Sequence, residues 1–232
     1  WINEFFGWRY AFFVVGVPGI ILAIILKLTV KEPPRGYSEG MKPEVTSVPF
    51  TDVLKTMWNF PSFRYLSIGA GAQAFVGYGS IAWMPSFLMR THDLSSGEVG
   101  TALGLIIGIF GGLGTFLGGF TGDRLGKRDV RWYMLVPAIG FLVSVPFGIA
   151  TLTADKLVLV LAFYSIPAFL VNLYTGPTFG MTQSLAPLAM RASASALLLF
   201  IINIIGLVFG PTTIGIISDL LQGSMQMNDV DS

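Results

Sequence analysis

Six long stretches of this chain carry no charge. They cover residues 10–26, 65–89, 99–122, 132–154, 157–190 and 192–218. The charged residues, 14 basic and 13 acidic in a chain of 232, are confined to the intervals between them. A helix that crosses a bilayer needs about 20 mostly apolar residues, within about 17–25. Five of the stretches meet that length outright, and the first meets it if Lys27 snorkels its ammonium to the interface. Only helices or closed barrels satisfy their backbone in hydrocarbon. Barrel strands alternate in polarity, and these stretches do not. The predicted fold is therefore all-α: a polytopic membrane bundle of six transmembrane helices. The fifth stretch is too long for one upright helix. It is predicted to be a kinked helix over roughly 157–185, followed by a short turn over 185–190.

Composition narrows the chemistry. A charged fraction of 12% is about half that of an ordinary soluble domain, and a net charge of +1 leaves no basic field for nucleic acid. With no cysteine and one histidine, His92, thiolate chemistry and histidine-rich metal sites are excluded. No cofactor and no metal are expected.

Basic residues orient the spans. Eleven fall on one side: Lys27, Lys31, Arg35, Lys42, Lys55, Arg64, Arg124, Lys127, Arg128, Arg131 and Arg191. Three fall on the other: Arg9, Arg90 and Lys156. The acids divide six to seven, so the asymmetry is cationic. The richer side is expected to face the cytoplasm of a plasma (inner) membrane. The chain then divides into a first span over 1–30, a cytoplasmic loop over 31–63, five spans over 64–221 and a polar tail over 222–232. The loop begins as a Pro-rich linker. Its end, Phe50-Thr-Asp-Val-Leu-Lys-Thr-Met-Trp-Asn-Phe60, places apolar residues at helical spacing and is predicted to be an amphipathic helix at the membrane interface. The chain lacks an initiating Met and enters a span almost at once, so it is expected to be a piece of a longer protein.

Within the third stretch Gly100, Gly104, Gly108 and Gly112 recur every four residues, and Gly114, Gly118 and Gly122 form a second row. Small residues at this spacing let helices approach closely in lipid. Gly104, Gly108 and Gly112 are the packing residues expected here, either in a fixed contact or in one that slides. Prolines 18, 85, 137, 146, 167, 177 and 211 interrupt the stretches and predict kinks.

The most specific pattern follows the third stretch: Gly119-Phe-Thr-Gly-Asp123-Arg124-Leu-Gly126-Lys127-Arg128. Gly126 is expected to permit a tight turn, and Asp123 to close the helix where the lipid ends and pair with a base or a facing helix N-terminus. Arg124, Lys127 and Arg128 are expected to hold the loop at the anionic leaflet.

This pattern resembles the signature cytoplasmic loop of the major facilitator superfamily, G-x-x-x-D-[RK]-x-G-[RK]-[RK]. Gly7-Trp8-Arg9-Tyr10 resembles the start of that family's sixth helix. Lys31-Glu32-Pro33-Pro34-Arg35-Gly36 resembles the beginning of its central loop. Pro187 and Arg191 are similar to its loop between the tenth and eleventh helices. Gly210-Pro211 and Gly215-Ile-Ile-Ser-Asp219 are similar to the end of the eleventh. The run from Gly122 to Tyr133, with Pro137, is most similar to the spinster-like branch. The resemblance implies helices six to eleven of a twelve-helix transporter, monomeric when full length. It also implies that the second and fifth stretches line a central path.

Uncharged polar and aromatic residues are then the candidates for solute contact: Gln73, Tyr78 and Trp83, then Tyr164, Asn172 and Tyr174, and Asn203. Buried amides and phenols in lipid need partners. Gln73 and Asn172 lead, with Tyr78 and Tyr174 as aromatic walls. The expected function is secondary transport of a small organic or amphiphilic, lipid-like solute by alternating access. The protein is coupled to protons or works as a uniporter, and Asp123 gates rather than carries protons. The competing readings are a membrane-embedded lipid-modifying enzyme and a channel. The first lacks a nucleophile or metal cluster, and the second lacks polar rings or a filter loop.

Overall fold

The structure, a computed structural model, describes residues 2–31 and 48–230. The linker expected at the start of loop 31–63 lies outside the described residues. Eleven helices follow in order: α1 (Ile2–Phe6), α2 (Trp8–Thr29), α3 (Phe50–Asn59), α4 (Pro61–Thr91), α5 (Ser96–Ile106), α6 (Gly112–Gly126), α7 (Trp132–Thr153), α8 (Leu157–Val171), α9 (Thr175–Leu185), α10 (Arg191–Asn203) and α11 (Phe209–Val230). Three pairs run on without a loop. A π turn, Ile107–Gly111, joins α5 to α6, and another, Ile204–Val208, joins α10 to α11. A 3-10 turn, Asn172–Tyr174, joins α8 to α9. The last helix continues through the expected polar tail as far as Val230.

Five of the six expected spans are long and apolar enough to cross a membrane: Trp8–Thr29, Ser96–Gly126, Trp132–Thr153, Leu157–Leu185 and Leu188–Leu221. The kinked helix read over 157–185 is the fourth of these. The remaining charge-free stretch forms α4, one unbroken helix of 31 residues that is not apolar enough to count with the others. Its position in the bundle explains the difference. Ten of its residues are buried, among them Ser67, Gln73 and Gly71, because it packs against α3, α9, α10, the second π turn and α11. A helix covered by protein does not need lipid-compatible residues on every side. The opposite case is α2, which buries none of its residues.

Local sequence sets the helix ends. Gly7 has φ +84 at the start of α2, a left-handed conformation that favours glycine. At α5, Ser95 and Glu98 form a capping box. The Ser95 hydroxyl accepts from the Glu98 N–H at 3.3 Å, and the Glu98 carboxylate accepts from the Ser95 N–H at 2.9 Å. Glu98, which borders the third stretch, is thereby committed to a structural bond. Ser95→Ala should cost ~1 kcal/mol of stability, read as a lower thermal midpoint in detergent with transport unaffected.

The amphipathic helix at residues 50–60 is α3, and its apolar side is divided. Val53 and Met57 are fully buried in a cluster with Phe63, Ala70, Ala194, Leu197 and Leu198, so one face docks onto α4 and α10 rather than lying free at an interface. Phe50, Leu54 and Trp58 remain exposed on the adjoining face.

Candidate functional site

The third span meets the fifth backbone to backbone. A methyl group on Gly114 would collide with the carbonyl oxygen of Phe169, and one on Gly118 with the carbonyl oxygen of Leu173. A methyl on Gly176 would lie 2.7 Å from the Cα of Gly119. Proline bears on the second of these carbonyls. Leu173 would normally accept from the N–H of residue 177, but Pro177 has none, and the chain passes through the 3-10 turn just before it. Gly118 brings its backbone against that oxygen, and a Cα–H beside a carbonyl is a weak but recurrent contact at helix interfaces. Pro177 also packs on Gly122, where a Cβ would be 2.9 Å from the ring.

Among the described residues the close contacts fall on the second glycine row rather than on the row expected to pack. A Cβ on Gly100, Gly104, Gly108 or Gly112 meets nothing within 4 Å. The joint is made by Gly114, Gly118, Gly119 and Gly122, with Gly111 facing the amide of Asn172 at 3.4 Å. Spacing of four residues marks both rows equally, and only the partner helix chooses between them.

At the end of this joint sits the Asp-Arg-x-Gly-Lys-Arg motif. Gly126 does not form a tight turn; it is the last residue of α6, and Gly7 is the one glycine with positive φ among the described residues. The reversal itself runs over 127–131, where the Asp129 carboxylate accepts from the Arg131 N–H at 2.9 Å. What Gly126 provides is room. Tyr133, at the start of α7, lays its ring where a Gly126 side chain would be and 3.6 Å from the Cβ position of Gly122. Its hydroxyl donates to the Asp123 carboxylate at 3.2 Å. Asp123, Arg124, Lys127 and Arg128 are exposed, with the Arg124 guanidinium 6.0 Å from the Phe120 ring centre.

The candidate solute residues fall on two faces of α4. Gln73, Gly77, Ser80 and Met84 follow one ridge, and Gly77, Ser80 and Met84 line a cleft of about 330 Å³ between α4, α7 and α8. Tyr164 and Asn172 line the same cleft. Gln73 is 8% exposed, and its Oε1 has no hydrogen-bond partner. Most of the cleft wall is apolar, and the Ser144 and Thr151 hydroxyls on it donate to their own helix, at 2.7 and 2.8 Å. The Asn172 amide likewise donates to the Ala168 carbonyl at 2.7 Å, on the turn where α8 ends.

The opposite ridge of α4 faces the sixth span. A Cβ on Gly206 would be 2.7 Å from the Ala74 Cβ and 2.9 Å from the Tyr78 ring, and one on Gly210 would be 2.6 Å from the Phe75 carbonyl oxygen. This approach brings the Tyr78 hydroxyl to the Asn203 Oδ1 at 3.5 Å. The Asn203 amide nitrogen donates to the Leu199 carbonyl at 2.8 Å, just before the π turn. Tyr174 packs half-buried against the same core cluster as Tyr78. Trp83 makes packing contacts with the sixth span. Its Nε1 donates to the Pro211 carbonyl at 3.0 Å, and its ring covers Gly215. Sequence reasoning missed Tyr133, Gly206 and Gly210. The glycine pair has the small-x-x-x-small spacing that marks such contacts; Tyr133 carries no pattern of its own.

A sequence model of the Major Facilitator Superfamily matches residues 1–211. The chain is 33% identical over 221 residues to an MFS-type efflux pump of Mycolicibacterium smegmatis, covering 93% of this chain and 49% of that protein. It is 29% identical over 231 residues to protein spinster homolog 1 of Homo sapiens, covering 93% and 44%. The chain thus spans about half the length of the curated relatives it matches. Among solved structures, a bacterial homolog of the human lysosomal transporter spinster, inward-facing and unoccupied, superposes with a TM-score of 0.77 at 34% identity over 97% of this chain and 47% of that one. The occupied inward-facing form gives a TM-score of 0.69. By this match and by the helices that carry it, the chain is a multi-pass membrane protein that belongs to the Major Facilitator Superfamily.

Proposed function

We propose that the chain is the greater part of the C-terminal half of a secondary transporter that works by alternating access, with its basic ends and loop 31–63 on the cytoplasmic side of a plasma (inner) membrane. The observation that carries this reading is the build of the inner end: Asp123 is held on the last turn of α6, at the foot of a close two-helix joint, where the facing half of such a transporter must approach and leave. The names of the relatives, an efflux pump and spinster homologs, support a small organic or amphiphilic, lipid-like solute. Tyr78, Tyr174 and Asn203 are the contacts best suited to it. They come from three spans and are half-buried. The Tyr78–Asn203 bond is long at 3.5 Å, so a polar group on the solute can replace it at little cost. Tyr164 and Asn172 form a second set in the cleft across α4, and Gln73 lies on the α4 ridge that runs toward it. Coupling to protons would rest on groups outside this chain, since Glu98 is engaged in its cap.

The full-length protein in vesicles should show saturable counterflow of amphiphilic dyes, and Asp123→Asn should slow it roughly tenfold, the scale of a coupling free energy of ~1.4 kcal/mol, with insertion and yield unchanged. Undiminished counterflow in Asp123→Asn would remove Asp123 as a gate.

A further inference from the structure

We infer that Tyr133 is a positioning residue for the inner gate: its ring fills the space left by two glycines of the third span, and its hydroxyl fixes the carboxylate between them. The inference deepens the gating role proposed for Asp123 and rests on it.

Three observations converge on this one side chain. Gly122 and Gly126 are one helical turn apart on the same ridge of α6, and the Tyr133 ring occupies the Cβ position of the second and touches that of the first. Any larger residue at 126 would expel the ring. Asp123 lies between the two glycines, and its Oδ1 takes the Tyr133 hydroxyl at 3.2 Å. Gly122 is also the residue on which Pro177 of α9 rests, so the ring, α6 and α9 form one packed unit. A carboxylate on the last turn of a helix is disfavoured by the helix dipole and free to turn among rotamers. A hydroxyl anchored by a wedged ring removes that freedom and aims the carboxylate in one direction. Because Tyr133 belongs to α7, the aim of Asp123 is tied to the packing of α7 on α6, so the carboxylate moves with this bundle as one body. The glycine spacing of the motif thereby acquires a reason that a basic anchoring cluster does not supply.

The test uses the full-length protein with a single cysteine at Leu199, beside Asn203, and reads the rate of its alkylation by a membrane-impermeant maleimide added from the inner side, so that no solute need be known. Asp123→Asn should change that rate by about threefold to tenfold, as loss of one charge-assisted hydrogen bond allows. Tyr133→Phe, which keeps the ring, should change it in the same direction by about the same factor, with a thermal midpoint close to the parent. The double variant should go no further than either single. Gly126→Ala should disturb labelling as well, and Tyr133→Ser, which makes room, should restore folding stability to it where Tyr133→Phe does not. If Tyr133→Phe labels as the parent does while Asp123→Asn is altered, or if the two effects multiply, the positioning role is overturned. If Asp123→Asn itself is silent, the gating reading falls first and takes the inference with it.

Discussion

Gly118→Val is expected to cost the chain at least ~3 kcal/mol, the upper range for overpacking a core, and to abolish the ordered bundle in detergent. The reason is the kind of atom in the way. A side chain at 118 meets the Leu173 carbonyl and Cα, which are backbone and cannot turn aside like a rotamer. Moving them apart separates α6 from the 3-10 turn and α9 together, because Gly114, Gly119 and Gly122 share the contact. It also takes from the Leu173 carbonyl its contact with Gly118, where Pro177 offers no N–H in its place. Gly104→Val provides the comparison: its Cβ enters open space, so the midpoint of this chain should move by no more than the small cost of a β-branched residue in a helix. Thermal unfolding of the two variants side by side decides the matter. Equal losses would mean that the packed row has been misassigned.

Gly206→Val should be the second severe change, at ~2–3 kcal/mol, and should also stop transport in the full-length protein. The obstacle here includes side chains, the Ala74 Cβ and the Tyr78 ring, so some relaxation is available. That relaxation is harmful in its own way. The Tyr78–Asn203 bond is already at 3.5 Å, and swinging the ring by a few tenths of an ångström breaks it. Tyr78→Phe separates the two effects. It keeps the packing, should lose no more than ~1 kcal/mol for one hydrogen bond, and should still reduce transport if the hydroxyl meets the solute. Stability assays that find Gly206→Val as tolerant as Tyr78→Phe would contradict a tight joint between the second and sixth spans.

The two joints also show what a linear reading recovers. Charge-free length locates the spans because lipid penalises charge wherever it lies along the helix, and the kinked span at Leu157–Leu185 emerges with its ends intact. Facing is a different matter. Gly104 and Gly118 look alike in the sequence, yet one borders empty space and the other a carbonyl, because the distinction belongs to a helix some fifty residues away. Gly126 was readable as a special position but not as a seat for Tyr133, whose ring arrives across the reversal. Gln73 and Tyr78 both read as polar groups in an apolar run. Five residues on a helix is enough to put them on different ridges, Tyr78 beside Asn203 and Gln73 buried on the other side with its Oε1 unpartnered. Trp83, read as a candidate solute contact, also clamps Pro211 through its indole N–H, a link that no spacing announces.

The modest apolarity of α4 has a consequence for how the protein is made. A helix carrying Ser67, Gln73, Tyr78 and Ser80 partitions poorly into a bilayer on its own. The residues that cover it, Asn203 and Pro211, are synthesised 125 and 128 positions later. Until they emerge from the ribosome, α4 must either wait beside the insertion machinery or sit half-committed in the lipid, its polar ridge unpaired. A partner made much later thus covers α4, and a break in synthesis before residue 203 leaves that helix without its Tyr78 and Trp83 contacts.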